Sequence, residues 1–523
     1  MSLPQQRPEI IIAFVGAVGS NLQQAITLLK ESLRTVNYSS HEIKLSQLLR
    51  DFSPQLEIPC PPKDNVFEEK RIDGLMDAGN EFRKKTGRAD ALSILAISAI
   101  HAYRKQKNVH IELEEDKSKT ALGSQAYILH SLKHPKEVAK LRDVYGDNFI
   151  VISLFSPQKI REHRLLEKIK KSHHGIKETN DYRQAAQNLI KKDSKQEGLS
   201  YGQNVSDAFP LADFFIKEEV DEEKLAAQIR RFIKILFGYP FITPTVVEYC
   251  MFAANAAALR SADLSRQVGA VIATDDGEFI AAGCNEVPKA GGGAFWEGNE
   301  SSSSDNRDYK KEFDTNAAFR DDNIIEVFRI LKENKLLSAE CMELSSEELA
   351  NKSLSSNNPF LKSSGIANVI EYGRIVHAEM SAITEAARRG LSVNGATIYC
   401  TTFPCHMCAR HILSAGISKV IYVEPYPKSL TKALYGNSVQ IDDGKSADQN
   451  AVLFEPFVGI APRIYFSFFK KLKRKEENGD IVKWHPENAR PRFKSANNRY
   501  IVAEVAETVI FNEIIDRLVA PNN

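Results

Sequence analysis

The chain has 523 residues, 26% of them charged and 43% hydrophobic. At about 150 residues per domain this length holds three or four domain-sized units, or two large ones, and the composition excludes a collagen-like, coiled-coil or wholly disordered chain. With 69 Lys and Arg against 68 Asp and Glu, the molecule as a whole exerts no strong pull on nucleic acid or anionic lipid.

The longest apolar runs, Ile10–Val18 and Leu92–Ile100, fall well short of the roughly 18 residues that a membrane span needs. The first nine residues carry one arginine and one glutamate, and the apolar stretch behind them ends in glycines, so no secretion signal is expected there. Seven cysteines, at 60, 250, 284, 341, 400, 405 and 408, are too sparse for a disulfide framework. They fit a reducing compartment, where a close pair holds metal or does redox chemistry. A cytoplasmic protein is expected.

In chain order, Ile10–Val15 reads as a buried strand; Gly16 and Gly19 follow, and a helix begins with Leu22, Ile26 and Leu29 on one face. Leu92–Ile100 is a further apolar run, and Ala126–Leu132 and Phe149–Phe155 read as strands separated by helical segments, which predicts βαβ units and a parallel sheet. Arg161–Lys195 reads as exposed helices. Glu222–Leu236 has helical periodicity and meets Gly238-Tyr-Pro240 and Thr243-Pro244, turn residues that place a domain boundary there. The expected domains are 1–236 and 244–523.

The second domain opens with an alanine-rich helix, Val246–Leu259, and a hairpin of Gly269–Ala273 with Glu278–Gly283. A long insertion at about 289–365 interrupts it. A helix at about 376–389, a strand at Thr397–Thr401, a helix at about 405–415 and a strand at Lys419–Val423 complete a second α/β pattern.

Two short motifs carry the chemistry, His377-Ala-Glu379 and Pro404-Cys405-His-Met-Cys408. His-x-Glu alone says little, because His110-Ile-Glu112 and His485-Pro-Glu487 also occur; the Cys-x-x-Cys spacing is unique in the chain. Three residues apart at a helix start, Cys405 and Cys408 put both sulfurs on one face, where the helix N-terminus favours thiolates. His377 adds an imidazole. Three such ligands suit zinc and leave a fourth tetrahedral corner for water, whose pKa zinc lowers towards about 7. Together the two motifs resemble the zinc nucleobase deaminase signature, which implies that Glu379, two residues after His377, moves that water's proton to a cytosine ring nitrogen and then to the departing amine. A closed structural site, with His406 or His411 as fourth ligand, and a redox pair are the alternatives.

From about Thr243 to Tyr426 the chain resembles the cytidine and deoxycytidylate deaminase family. The resemblance rests on both motifs, on Ser261-Ala-Asp-Leu-Ser-Arg-Gln-Val-Gly-Ala270, on Gly283-Cys-Asn-Glu-Val-Pro288 and on Glu424-Pro-Tyr426. It implies that Asn285 binds the sugar hydroxyl and that Tyr426 covers the base. The aromatics of Gly291–Glu297 either stack on a base or anchor a surface excursion.

In the N-terminal half, Gly16-Ala-Val-Gly19-Ser20-Asn21 has the setting of a phosphate loop, strand before and helix after. The lysine of the full phosphate-loop pattern is absent. With Leu132–Arg142, Arg161 and Arg164, this half resembles nucleoside monophosphate kinase-like folds. A degenerate domain of that kind ahead of a zinc deaminase resembles the two-domain bacterial anti-phage dCTP deaminases. That resemblance implies dCTP and dCMP as substrates, Zn2+ as cofactor, nucleotide contact at Gly16, Gly19, Ser20 and Asn21, restraint by a small RNA, and an assembly of identical subunits. The competing classes are a nucleotide- or RNA-sensing protein with structural zinc and a polynucleotide cytosine deaminase. Near-neutral charge speaks against the latter, since single-strand binding uses a basic groove. Lys470–Lys475 reads as a solvated helix face or as a contact to RNA or triphosphate.

Overall fold

A computed structural model of the chain describes residues 7–111, 114–174, 179–196, 199–298, 305–355, 359–362, 364–368, 373–424, 429–441, 450–493 and 499–520. Two compact units emerge. One comprises Met1–Phe252, Val423–Pro425 and Val439–Asn523, the other Ala253–Tyr422 and Tyr426–Ser438.

The first unit is built on β1 (Ile10–Gly16), β2 (Ser39–Lys44), β3 (Gln125–Leu132), β4 (Phe149–Phe155) and β5 (Phe214–Lys217), all parallel in the order β2-β3-β1-β4-β5. β1 is buried along its whole length, as its unbroken apolar sequence demands of a strand covered on both faces. Its alternate residues Ile10, Ile12 and Phe14 pack with Ile26, Leu29 and Leu33 of the helix Leu22–Arg34 and with Leu225, Ile229 and Phe232 of the helix Glu222–Leu236. Leu92–Ile100 lies inside a helix, Ala91–Lys107. The expected α/β class with a parallel N-terminal sheet is thus what forms.

The second unit begins within the helix Val246–Ala258 and carries β6 (Gly269–Ala273), β7 (Phe279–Cys284), β8 (Thr397–Thr402) and β9 (Lys419–Glu424) in the order β7-β6-β8-β9. β6 pairs antiparallel with both β7 and β8. The helices Ala378–Arg388 and His406–Ser414 stand between these strands in sequence.

Residues 439–523, expected with the second domain, lie instead with the first unit. After the parallel pair β10 (Val439–Ile441) and β11 (Val452–Pro456), the short β12 (Gly459–Ile460) adds antiparallel to β5. The buried Glu248 carboxylate accepts from Ile460 N at 2.8 Å and is clasped by Arg231. Further on, the helix Arg499–Val519 brings Glu504 to Arg104. Arg104 also pairs with Glu9, and all three side chains are fully buried. The hydroxyls of Tyr127 and Tyr500 donate to the Glu9 carboxylate at 3.1 and 2.8 Å. Buried charges need partners, and these span almost the whole sequence. Among the described residues no helix is long and apolar enough to cross a membrane, and all seven cysteines are free.

Candidate active site

His377 and Cys405 occupy equivalent places, each the N-cap of a helix: Ala378–Arg388 for the first, His406–Ser414 for the second. Neither spends its side chain on capping. Cys408 follows one turn into the second helix, so both sulfurs meet the His377 ring. Nδ1 of His377 lies 3.3 Å from Cys405 Sγ and 3.4 Å from Cys408 Sγ. Zinc bonds of about 2.3 Å to sulfur and 2.0–2.1 Å to nitrogen place tetrahedral N and S ligands about 3.5 Å apart, so these donors fit that metal in kind and in spacing. They form the sole group of three such ligand atoms within 4.8 Å of one another among the described residues. His406, His411 and Glu379 stand outside it; His411 Nε2 accepts from Arg410 at 3.4 Å. No described His, Cys, Asp or Glu joins the three as a fourth.

The donors already share charge. The hydrogen bond from Cys408, then the His377 ring, hold Cys405 down at about 4. The same bond and burial push Cys408 well up. Hydrogen bonding to Cys405 raises His377 to about 9. Glu379 is only 3% exposed, and burial raises its carboxyl above the ordinary range. A buried carboxyl beside the three donors is placed for proton transfer.

Two glycines let the helices come close. A Cβ on Gly283 would sit 2.4 Å from Ala378 O and from Ala382 N, so β7 touches the backbone of the helix bearing Glu379. A Cβ on Gly269 would lie 1.9 Å from Ala254 O. Above Cys284, the chain is tied by Asn285 and Glu286. Asn285 Nδ2 donates to Arg266 O at 2.8 Å and Oδ1 accepts from Val268 N at 2.7 Å. The expected sugar ligand thus also fixes the 266–268 segment. Glu286 accepts from Ala262 N at 2.8 Å through its side chain and forms an antiparallel bridge with Val376, next to His377. Sequence reasoning passed over Glu286, which lay unremarked between Asn285 and Pro288.

Within the insertion, the Arg260 guanidinium stands 3.5 Å from the centroid of the Trp296 ring, which is 49% exposed. Phe295 is buried. Tyr426, expected over the base, and Ser301–Ser304 lie outside the described residues.

The loop after β1 is equally well defined. Val18 N donates to Asp193 Oδ2 at 2.6 Å and Asn21 N to Glu218 Oε2 at 3.2 Å. Lys133 Nζ donates to Asp193 at 2.8 Å and to Gly16 O at 2.9 Å, while Arg164 holds Glu218 and the Gly19 carbonyl. Gly19 has φ +87°, and a Cβ there would meet Arg161 O at 2.8 Å. Two of the chain's own carboxylates therefore sit on amides expected to hold a phosphate.

The unit thus sets three N and S donors that fit zinc in kind and spacing close to a buried carboxylate. Residues 244–424 match the family described as the cytidine and deoxycytidylate deaminase zinc-binding region, the stretch that holds both motifs. The chain is 50% identical over 54 residues to the deoxycytidylate deaminase of Enterobacteria phage T2, 10% of this chain and 29% of that protein. It is 45% identical over 53 residues to ComE operon protein 2 of Bacillus subtilis (strain 168), 10% and 28% of the two chains. It thus spans less than a third of the length of these curated relatives. Among solved structures, the apo dCMP deaminase from the cyanophage S-TIM5 aligns with 17% identity and TM-score 0.20, covering 41% of this chain and 99% of that one.

Proposed function

We propose that the second unit deaminates deoxycytidine nucleotides hydrolytically, releasing ammonia and the deoxyuridine nucleotide. The observation that carries this is the pairing of an incomplete His377–Cys405–Cys408 ligand set with the buried Glu379. A structural zinc site needs a fourth ligand, and no described His, Cys, Asp or Glu joins the three. Zinc bound there would supply the Lewis acidity that brings a water's pKa down towards about 7. His377, Cys405 and Cys408 hold the ion. Glu379 takes one proton from water as its oxygen bonds to C4 and delivers it to the ring nitrogen; it then takes the second proton from the new C4 hydroxyl and passes it to the amino group, whose bond to C4 breaks as the C4 carbonyl forms and ammonia leaves. Asn285 offers its second N–H to a sugar hydroxyl.

Deoxycytidylate as substrate draws on the family match and the relatives' names. Acceptance of dCTP, depletion of that pool in antiviral defence and restraint by a small RNA rest on the resemblance in two-unit layout. The test is direct: zinc-replete full chain is incubated with dCMP, dCTP or single-stranded DNA, and ammonia is followed. Release from either nucleotide and none from DNA supports the reading. No release from any of the three removes it.

The N-terminal loop is proposed as a nucleotide-phosphate site of the same protein. β1 lies between β3 and β4, where the strand order reverses, the usual ligand position in an open parallel sheet. Phosphate must displace Asp193 and Glu218 there. Asp193→Asn with Glu218→Gln is expected to tighten binding of inorganic pyrophosphate at least about tenfold, since two like charges leave the site. Calorimetry finding no binding to either form ends the proposal.

A further inference from the structure

The insertion reaches the metal site through charge. Arg374 lies three residues before His377. Its Nη1 pairs with Asp308 Oδ1 at 2.7 Å and its Nη2 donates to Asn306 O at 2.9 Å. Asp308 is 6% exposed, so this is no loose surface pair. Beside it Arg307, also 6% exposed, is gripped by Asp305 at 2.9 and 2.7 Å and lies 5.0 Å from the centroid of the Tyr309 ring. Glu286 bridges its backbone to Val376 at 3.2 and 3.1 Å. The contact from residues 305–309 to the stem 374–376 runs through the Arg374 side chain.

That stem needs holding. His377 is an N-cap whose ring makes no capping bond, so the direction of Nδ1 towards the sulfurs depends on the backbone that delivers it. Partners behind a metal ligand set its orientation, and their removal typically weakens metal retention about 10–100-fold. A half-buried ion pair three residues away fixes the same backbone from outside the ligand set.

We propose that the insertion is a positioning element for the metal centre and that the Asp308–Arg374 pair is its working contact. Asp308 and Arg374 are positioning residues: they act through the backbone entering His377. This rests on the metal reading of the site.

The test measures zinc release from the full chain to a chromogenic chelator, alongside zinc content, circular dichroism and melting temperature. Asp308→Asn and Arg374→Met are each expected to release zinc at least about tenfold faster than wild type. The exchanged pair, Asp308→Arg with Arg374→Asp, is expected to return most of that loss. Arg329→Ala, which breaks an exposed pair with Glu333 elsewhere in the insertion, serves as the control and should release zinc at the wild-type rate. Wild-type release rates in both single variants overturn the proposal. So does a loss that the exchanged pair leaves uncorrected while melting temperature falls in step, because the contact is then merely structural. A wild type that binds no zinc removes the metal reading, and the inference falls with it; a zinc-replete wild type with unaltered variants removes the inference alone.

Discussion

Glu379→Gln is expected to lower kcat for deoxycytidine nucleotides by at least about 10³-fold while zinc content stays at the wild-type level. General acid–base groups typically contribute about 10²–10⁴-fold, and Glu379 is assigned every proton transfer in the cycle. Its carboxyl is 3% exposed, and burial raises it above the ordinary carboxylate range. It lies outside the three-atom ligand group, and glutamine preserves its shape, so the metal stays. Steady-state kinetics with elemental analysis decide the matter. Activity within a few-fold of wild type would remove Glu379 from the chemistry, and loss of zinc would make it a ligand.

The second large effect concerns stability. Arg104→Ala is expected to destabilise the first unit by about 3–5 kcal/mol, the range for removing one partner of a buried ion pair. Arg104 donates to Glu9 at 3.1 and 2.8 Å and to Glu504 at 2.6 and 3.1 Å, with all three side chains sealed from solvent. Deleting the guanidinium leaves two carboxylates buried together. It also frees the helix Arg499–Val519 from its deepest polar anchor. Arg231→Ala differs in degree: the Arg231 side chain is 26% exposed, and its buried partner Glu248 keeps the amides of Ile460 and Thr245. Chemical denaturation of Arg104→Ala should show the midpoint shift; an unchanged midpoint would mean that the cluster is not what holds the last helix.

The cluster of His377, Cys405 and Cys408 was legible because its signal is local. Cys-x-x-Cys at a helix start needs only four consecutive residues, and His377 and Glu379 sit two apart. The parallel sheet was legible for a like reason, since a strand buried on both faces has to be apolar throughout. The placement of residues 439–523 was not. It is set by pairings such as Tyr500 with Glu9, 491 positions apart, and nothing in the local pattern of either segment names the other. Trp296 shows the same limit: an aromatic in a glycine-rich stretch offers two ring faces, and only the fold sets Arg260 against one of them. The loop at 16–21 carries the backbone of a phosphate cradle, yet its amides found Asp193 and Glu218, well over a hundred residues downstream. Glycine spacing reports backbone shape, and the occupant is chosen by distant charge.

X-ray absorption at the zinc edge of the purified full chain tests the central claim most directly. The expected spectrum is one zinc per chain bound by two sulfurs, one imidazole nitrogen and one light atom from solvent. A fourth protein ligand closing the site, or a chain that takes up no zinc, would contradict it.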